Sequence, residues 1–186
     1  MNSAAIKKFD IANGPGVRVS LFVSGCRHRC KNCFNAVAWD FNYGDLFTEE
    51  TEKEITDALD KEYIEGFSLL GGEPFEPENQ APLAEFLGRL KARFPQKSVW
   101  CYTGFTVDDI MSGKVGDKDT ALKMLSCIDV LVDGKFVEEL KDASLLFRGS
   151  SNQNIIDVKK TLIAGKTVLL DGVWKRKMGS TDIEEM

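Results

Sequence analysis

Cys26, Cys30 and Cys33 stand in the order C-x3-C-x2-C, close enough for one loop to wrap a metal centre. Three thiolates from one loop can hold three irons of a 4Fe–4S cubane, whose usual complement is four cysteines. The fourth iron is then open to a small molecule. A rival set is Cys3His zinc, because His28 lies between the first two cysteines. Structural zinc sites usually take their ligands as two separated pairs, which this spacing does not provide. A disulfide is the weakest reading. The chain opens without a charged-then-apolar signal segment, and clustered cysteines outside an oxidising compartment more often bind metal or do chemistry.

Other chemistry-bearing residues follow apolar runs. Gly71-Gly72-Glu73-Pro74 ends the run 67–70; glycines let a backbone approach a ligand, and a carboxylate pairs with an ammonium. An ordinary strand exit has the same composition. Thr103-Gly104 follows the run 98–102, and Asp133-Gly134-Lys135 follows 129–132, where a plain polar turn is the competing reading. Cys101 and Cys127 sit in strand and helix patterns as small buried hydrophobes, not ligands. His28 reads as a loop side chain, and Arg18 has no assigned role.

These loops need elements to position them. Residues 17–23 read as a buried strand. Thr51-Glu52-Lys53-Glu54 fits a capping box for a helix to about residue 62. Pro82 suits the first turn of a second helix, whose Leu83, Phe86, Leu87 and Leu90 form a core stripe. Helical pieces at 107–111 and 121–125 separate the last strands. Strand, loop and helix recur as βαβ units of a parallel sheet. Four units cannot close an eight-stranded barrel. The fold expected is α/β: an open partial (β/α) barrel with a mostly parallel sheet over residues 1–153. Residues 154–186 form a C-terminal extension, with a small hairpin from 155–158 and 167–170 and a mobile tail. Every unusual loop then lies at a strand's C-terminal end, the edge where parallel α/β sheets bind ligands.

The chain's 186 residues, 43% hydrophobic and 28% charged, suit one soluble domain with a real core. A net charge of -5 argues against general nucleic-acid affinity, and no apolar run spans a bilayer. A cytoplasmic protein is expected, with no nucleic-acid or membrane partner; a homodimer is left open. Arg27, His28, Arg29 and Lys31 crowd the cysteines. They are either solvated loop charges or a patch that offsets cluster charge and docks an acidic electron donor.

The cysteine spacing, with Asn13-Gly14-Pro15-Gly16-Val17-Arg18 before it and Phe34-Asn35 and Trp39-Asp40 after it, resembles the radical S-adenosylmethionine enzymes, and among them the glycyl-radical activating enzymes. Residues 132–137 and 148–153 resemble the branch that activates anaerobic ribonucleoside-triphosphate reductase. Activation of another glycyl-radical enzyme, of the pyruvate formate-lyase type, is the alternative, with a zinc-binding interaction module as the reading from a different class. The resemblance implies the same open partial barrel and a 4Fe–4S cluster on Cys26, Cys30 and Cys33 with one open iron. It implies S-adenosylmethionine chelated to that iron and cleaved by one electron, ending in a glycyl radical on the large reductase subunit. It implies that Gly71, Gly72 and Glu73 hold the methionine amine and that Asn32, Cys33 and Phe34 line the adenine. Asp133 and Lys135 would lie near the methionine carboxylate, the aspartate through a monovalent cation to which Thr103 could add an oxygen. A reductant such as flavodoxin completes the implied set.

Overall fold

The computed structural model describes residues 1–172. Its one sheet has the order β3-β1-β2-β4-β5-β6-β7. The strands are β1 (Asn2–Asp10), β2 (Arg18–Val23), β3 (Asp45–Leu46), β4 (Gly66–Gly71), β5 (Ser98–Tyr102), β6 (Val130–Asp133) and β7 (Asn154–Asp157). The helices are α1 (Glu49–Leu59), α2 (Pro77–Arg93), α3 (Val107–Ser112), α4 (Lys118–Ser126) and α5 (Val158–Ala164). β2, β4, β5 and β6 pair in parallel. β1 is antiparallel to both β2 and β3, so β3 runs with the parallel set; only β1 and β7 are reversed. The fold is therefore mixed α/β with a mostly parallel sheet. No helix among the described residues is long and apolar enough to cross a membrane.

The central strands read as unbroken apolar runs because both faces are covered. Val19, Leu21, Phe67, Leu69, Val99 and Leu131 pack with Leu83, Phe86, Leu87 and Leu90 of α2 in the main core. Residues of opposite parity, Trp100, Val130, Val132 and Ile155, gather Tyr102, Phe147 and Leu170 into a second, smaller cluster. Arg18 is fully buried at the start of β2. It donates to Ser68 Oγ at 2.7 Å and to the carbonyls of Phe67 and Ser98, both at 2.8 Å. These bonds tie β2 to β4 and β5, while burial lowers the guanidinium pKa to about 10.

Several sequence expectations need correction. The capping box uses Thr48 and Thr51, so α1 begins ahead of the expected cap. α2 starts at Pro77 and carries Pro82 inside it. Asn79 and Gln80, polar residues that masked the apolar stripe, are buried in its first turns with their side chains on backbone carbonyls. β1 escaped notice because much of it is exposed and its pairing is irregular. Beyond these corrections, residues 154–157 form a strand on β6, and Leu169 bridges antiparallel to Ile156 across α5. The expected mobile tail lies outside the described residues.

Candidate functional site

β2, β4, β5 and β6 run in parallel, so their exits share one edge. Ser24-Gly25 leads from β2 into the cysteine loop, whose root is fixed by Gly25 N–H on the Ala38 carbonyl (2.8 Å) and Cys26 N–H on that of Trp39 (3.2 Å). Cys30 and Cys33 close a turn, Cys33 N–H donating to the Cys30 carbonyl at 3.1 Å. Arg29 and Asn32 hold positive φ, which swings the backbone sharply between the cysteines.

All three thiols are free. The backbone amides of His28 and Arg29 lie beside the Cys26 thiol, and that of Phe136 lies beside Cys30. Burial nonetheless raises Cys26 to about 11 and Cys30 in the same direction, because a buried lone thiolate lacks a counter-charge. Among the described residues no group of three His, Cys, Asp or Glu side chains is placed to hold a single metal ion. His28, the fourth donor a zinc site would need, faces Phe105 and Glu73 instead. Three free thiols on one loop, with backbone amides beside those of Cys26 and Cys30, suit the donor set of an iron–sulfur cluster.

Glu73 is 1% exposed and joins three exits. Its Oε1 accepts from Phe75 N–H at 2.9 Å and Thr103 Oγ at 2.7 Å; Oε2 accepts from Gly104 N–H at 2.7 Å. His28 Nε2 lies 3.1 Å from Oε2 yet lacks the alignment of a hydrogen bond. The His28 ring of the cysteine loop thus covers Oε2 on that side without spending an acceptor position on it. At Gly72 an added Cβ would sit 2.5 Å from the Gly25 carbonyl, and at Gly71, with φ +117°, 2.5 Å from Val23 N. Packing of the chain on itself accounts for both glycines.

Asp133 is 2% exposed, its carboxylate accepting from Val107 N–H at 2.8 Å and Asn154 Nδ2 at 3.0 Å, and burial raises its pKa. Lys135 is exposed and close enough to Cys30 to act on it electrostatically. Thr103 Oγ donates its proton to Glu73 and accepts from Phe105 N–H at 3.1 Å. Phe34 is 83% exposed and Asn32 is also on the surface, so both stand open beside Cys33. Cys101 is buried in the sheet core. Of the basic group, Arg27 is paired with Glu76 and Glu78 and stacks on Phe41, and Lys31 meets Glu139 at 3.2 Å. A cleft of about 770 Å³ beside Cys26 is lined by Arg29, Val37, Trp39 and Phe41 among others. The contact of His28 with Glu73 had no sequence signal, since it joins loops after different strands.

A family model described as a 4Fe–4S single cluster domain matches residues 12–156. An anaerobic ribonucleoside-triphosphate reductase-activating protein of Enterobacteria phage T4 is 39% identical over 175 residues, covering 94% of this chain and 99% of that protein. Proteins of the same name from Escherichia coli K12 and Haemophilus influenzae are 41% and 42% identical, covering 82% and 83% of this chain and 96% and 97% of their own lengths.

Proposed function

The chain belongs to the 4Fe–4S single cluster domain family and, within it, to the anaerobic ribonucleoside-triphosphate reductase-activating proteins, and from that membership we propose that it is a radical S-adenosylmethionine enzyme that installs a glycyl radical on the reductase. The carrying observation is the convergence on one sheet edge of the cysteine loop with the exits of β4, β5 and β6. When bound, a 4Fe–4S cluster with one open iron supplies one-electron reductive cleavage of S-adenosylmethionine and, from it, abstraction of a hydrogen atom from a glycine.

Cys26, Cys30 and Cys33 would hold the cluster, and the amides of His28, Arg29 and Phe136 would offset charge on its sulfurs. Glu73 would receive the methionine ammonium on its remaining acceptor direction, already rigid on Thr103 and Gly104. Gly71, packed on the β2 backbone, and Gly72, packed on Gly25 at the root of the cysteine loop, would place that carboxylate. Asn32, Cys33 and Phe34 would line the adenine. Asp133, with Thr103, would hold a monovalent cation, and Lys135 would face the methionine carboxylate. The sheet would form an open partial barrel that admits the reductase's glycine loop. Flavodoxin is a reductant of the class required, and the exposed Arg29 beside Cys30 suits an acidic donor.

The test is anaerobic reconstitution with iron and sulfide, then electron paramagnetic resonance of the reduced protein with and without S-adenosylmethionine. The expected cubane signal changes on adding the cofactor and is lost in Cys30→Ala. Incubation with the reductase then yields a glycyl radical. A colourless protein holding one zinc would sink the reading.

A further inference from the structure

The segment 148–153 has no place in the chemistry above, yet it is tied to the exit of β6 residue by residue. Asn152 Nδ2 donates to the Lys135 carbonyl at 2.8 Å. Gln153 Nε2 donates to the Gly134 carbonyl at 2.9 Å. Asn154 Nδ2 donates to Asp133 Oδ1 at 3.0 Å. Three consecutive amides thus grip three consecutive residues in reverse order, extending the antiparallel β6–β7 register beyond the last backbone pair, Asp133 with Asn154.

The grip is itself braced. Gln153 Oε1 accepts from Gly149 N–H at 2.9 Å and Ser150 N–H at 3.1 Å, while Arg148 Nη1 holds the Gln153 carbonyl at 2.7 Å. Buried Ser150 accepts from Val137 N–H at 3.2 Å, which fixes the far side of the same exit. Gln153 therefore uses both ends of its amide, one on the bracing loop and one on the β6 exit. Asn and Gln are suited to this because one planar group donates and accepts at once.

We propose that Asn152, Gln153 and Asn154, braced by Arg148 and Ser150, form a positioning clamp that holds Asp133, Gly134 and Lys135 against the cysteine loop. The inference rests on the cofactor-binding reading of Asp133 and Lys135. The segment that follows the clamped exit meets the cysteine loop where Glu139 Oε1 lies 3.2 Å from Lys31 Nζ, and the Phe136 amide lies beside Cys30. Without the clamp the exit is a glycine-containing loop with an exposed Lys135, free to sample conformations that remove both groups from the cofactor. These residues are positioning residues and touch no reacting atom.

The experiment compares wild type, Gln153→Ala and Gln153→Glu as full-length reconstituted protein. Gln153→Glu keeps the acceptor for Gly149 and Ser150 but loses the donor to Gly134. Thr161→Val serves as a control, since buried Thr161 accepts from Val168 N–H at 2.9 Å and bonds to no residue of the β6 exit. Hydrogen exchange of residues 134–137 is expected to rise about tenfold in Gln153→Ala, the equivalent of one net hydrogen bond. The S-adenosylmethionine dissociation constant is expected to rise by at least the same factor with iron content unchanged in both variants, since the Gln153→Glu carboxylate opposes the Gly134 carbonyl. Thr161→Val lowers the melting temperature without either effect. Unchanged exchange at 134–137 overturns the clamp. Raised exchange with unchanged cofactor affinity overturns its positioning role. A wild-type cluster indifferent to S-adenosylmethionine would defeat the proposed function instead, and the exchange result would still decide the clamp.

Discussion

Glu73→Gln isolates the structural half of Glu73's role. The amide can keep an oxygen toward Phe75 N–H and Thr103 Oγ, but its nitrogen then opposes Gly104 N–H, which donates to Oε2 at 2.7 Å. Two donors face each other in a site 1% exposed, so one stays unsatisfied. Leaving a buried donor unpaired costs about 1–3 kcal/mol. Relief from burying a carboxylate offsets part of the weakening of the two remaining bonds, and a net loss of about 2 kcal/mol follows. For a chain of this length that lowers the melting temperature by roughly 4–8 °C. Thermal unfolding of the cluster-free protein by circular dichroism reads this directly. Flipping the amide does not help, since the nitrogen then meets Phe75 N–H. A melting temperature within about 1 °C of wild type would refute the reasoning: Glu73 would then be held by packing and not by its three donors.

Two further outcomes are expected. Gly72→Ala forces a Cβ to within 2.5 Å of the Gly25 carbonyl and 2.8 Å of the Ala38 carbonyl, at the root of the cysteine loop. Backbone has to move, costing about 1–3 kcal/mol in a denaturant titration, and reconstituted iron per chain should drop. For Asp10, burial raises the pKa, but hydrogen bonds from Asn13, Ser20 and Ala12 outweigh it and leave the carboxyl below its ordinary 3.8. A depressed folded-state value contributes stability above pH 3.8 that is lost as pH falls through the folded-state value. Asp10→Asn should therefore be less stable than wild type at pH 7, with the gap closing in the acid limb; a pH-independent gap contradicts the assignment.

Local pattern carried the cysteine loop, the four parallel strands and the order of their exits. Each is written in contiguous residues: thiol spacing, apolar runs covered on both faces, and glycine or polar turns where those runs stop. Parallel pairing then obliges all four exits to share an edge, so the meeting of these loops at one edge followed from rhythm alone. The start of α2 was misread because its first turns bury Asn79 and Gln80 on backbone carbonyls, and a polar residue that is buried looks like a surface residue in sequence. β1 has no local signature, because one weakly alternating strand gains its meaning only from the partner it pairs with.

What the fold alone decided lies between segments far apart in the chain. Glu73 meets Thr103, Gly104 and His28; Arg18 finds Ser68 and Ser98; the amides of Asn152, Gln153 and Asn154 reach the exit of β6. Side chains of these types are common in any loop, and none carries a periodicity that names its partner. Their bonds exist because strand pairing fixes the distances first and the polar groups, once buried, must be satisfied by whatever donor or acceptor the neighbouring strand presents. The sequence by itself determined the spacing of the three thiols and the edge of the sheet to which the polar and glycine loops lead. The tertiary structure determined how rigidly each group there is held, because that depends on hydrogen bonds across strands that no local pattern encodes.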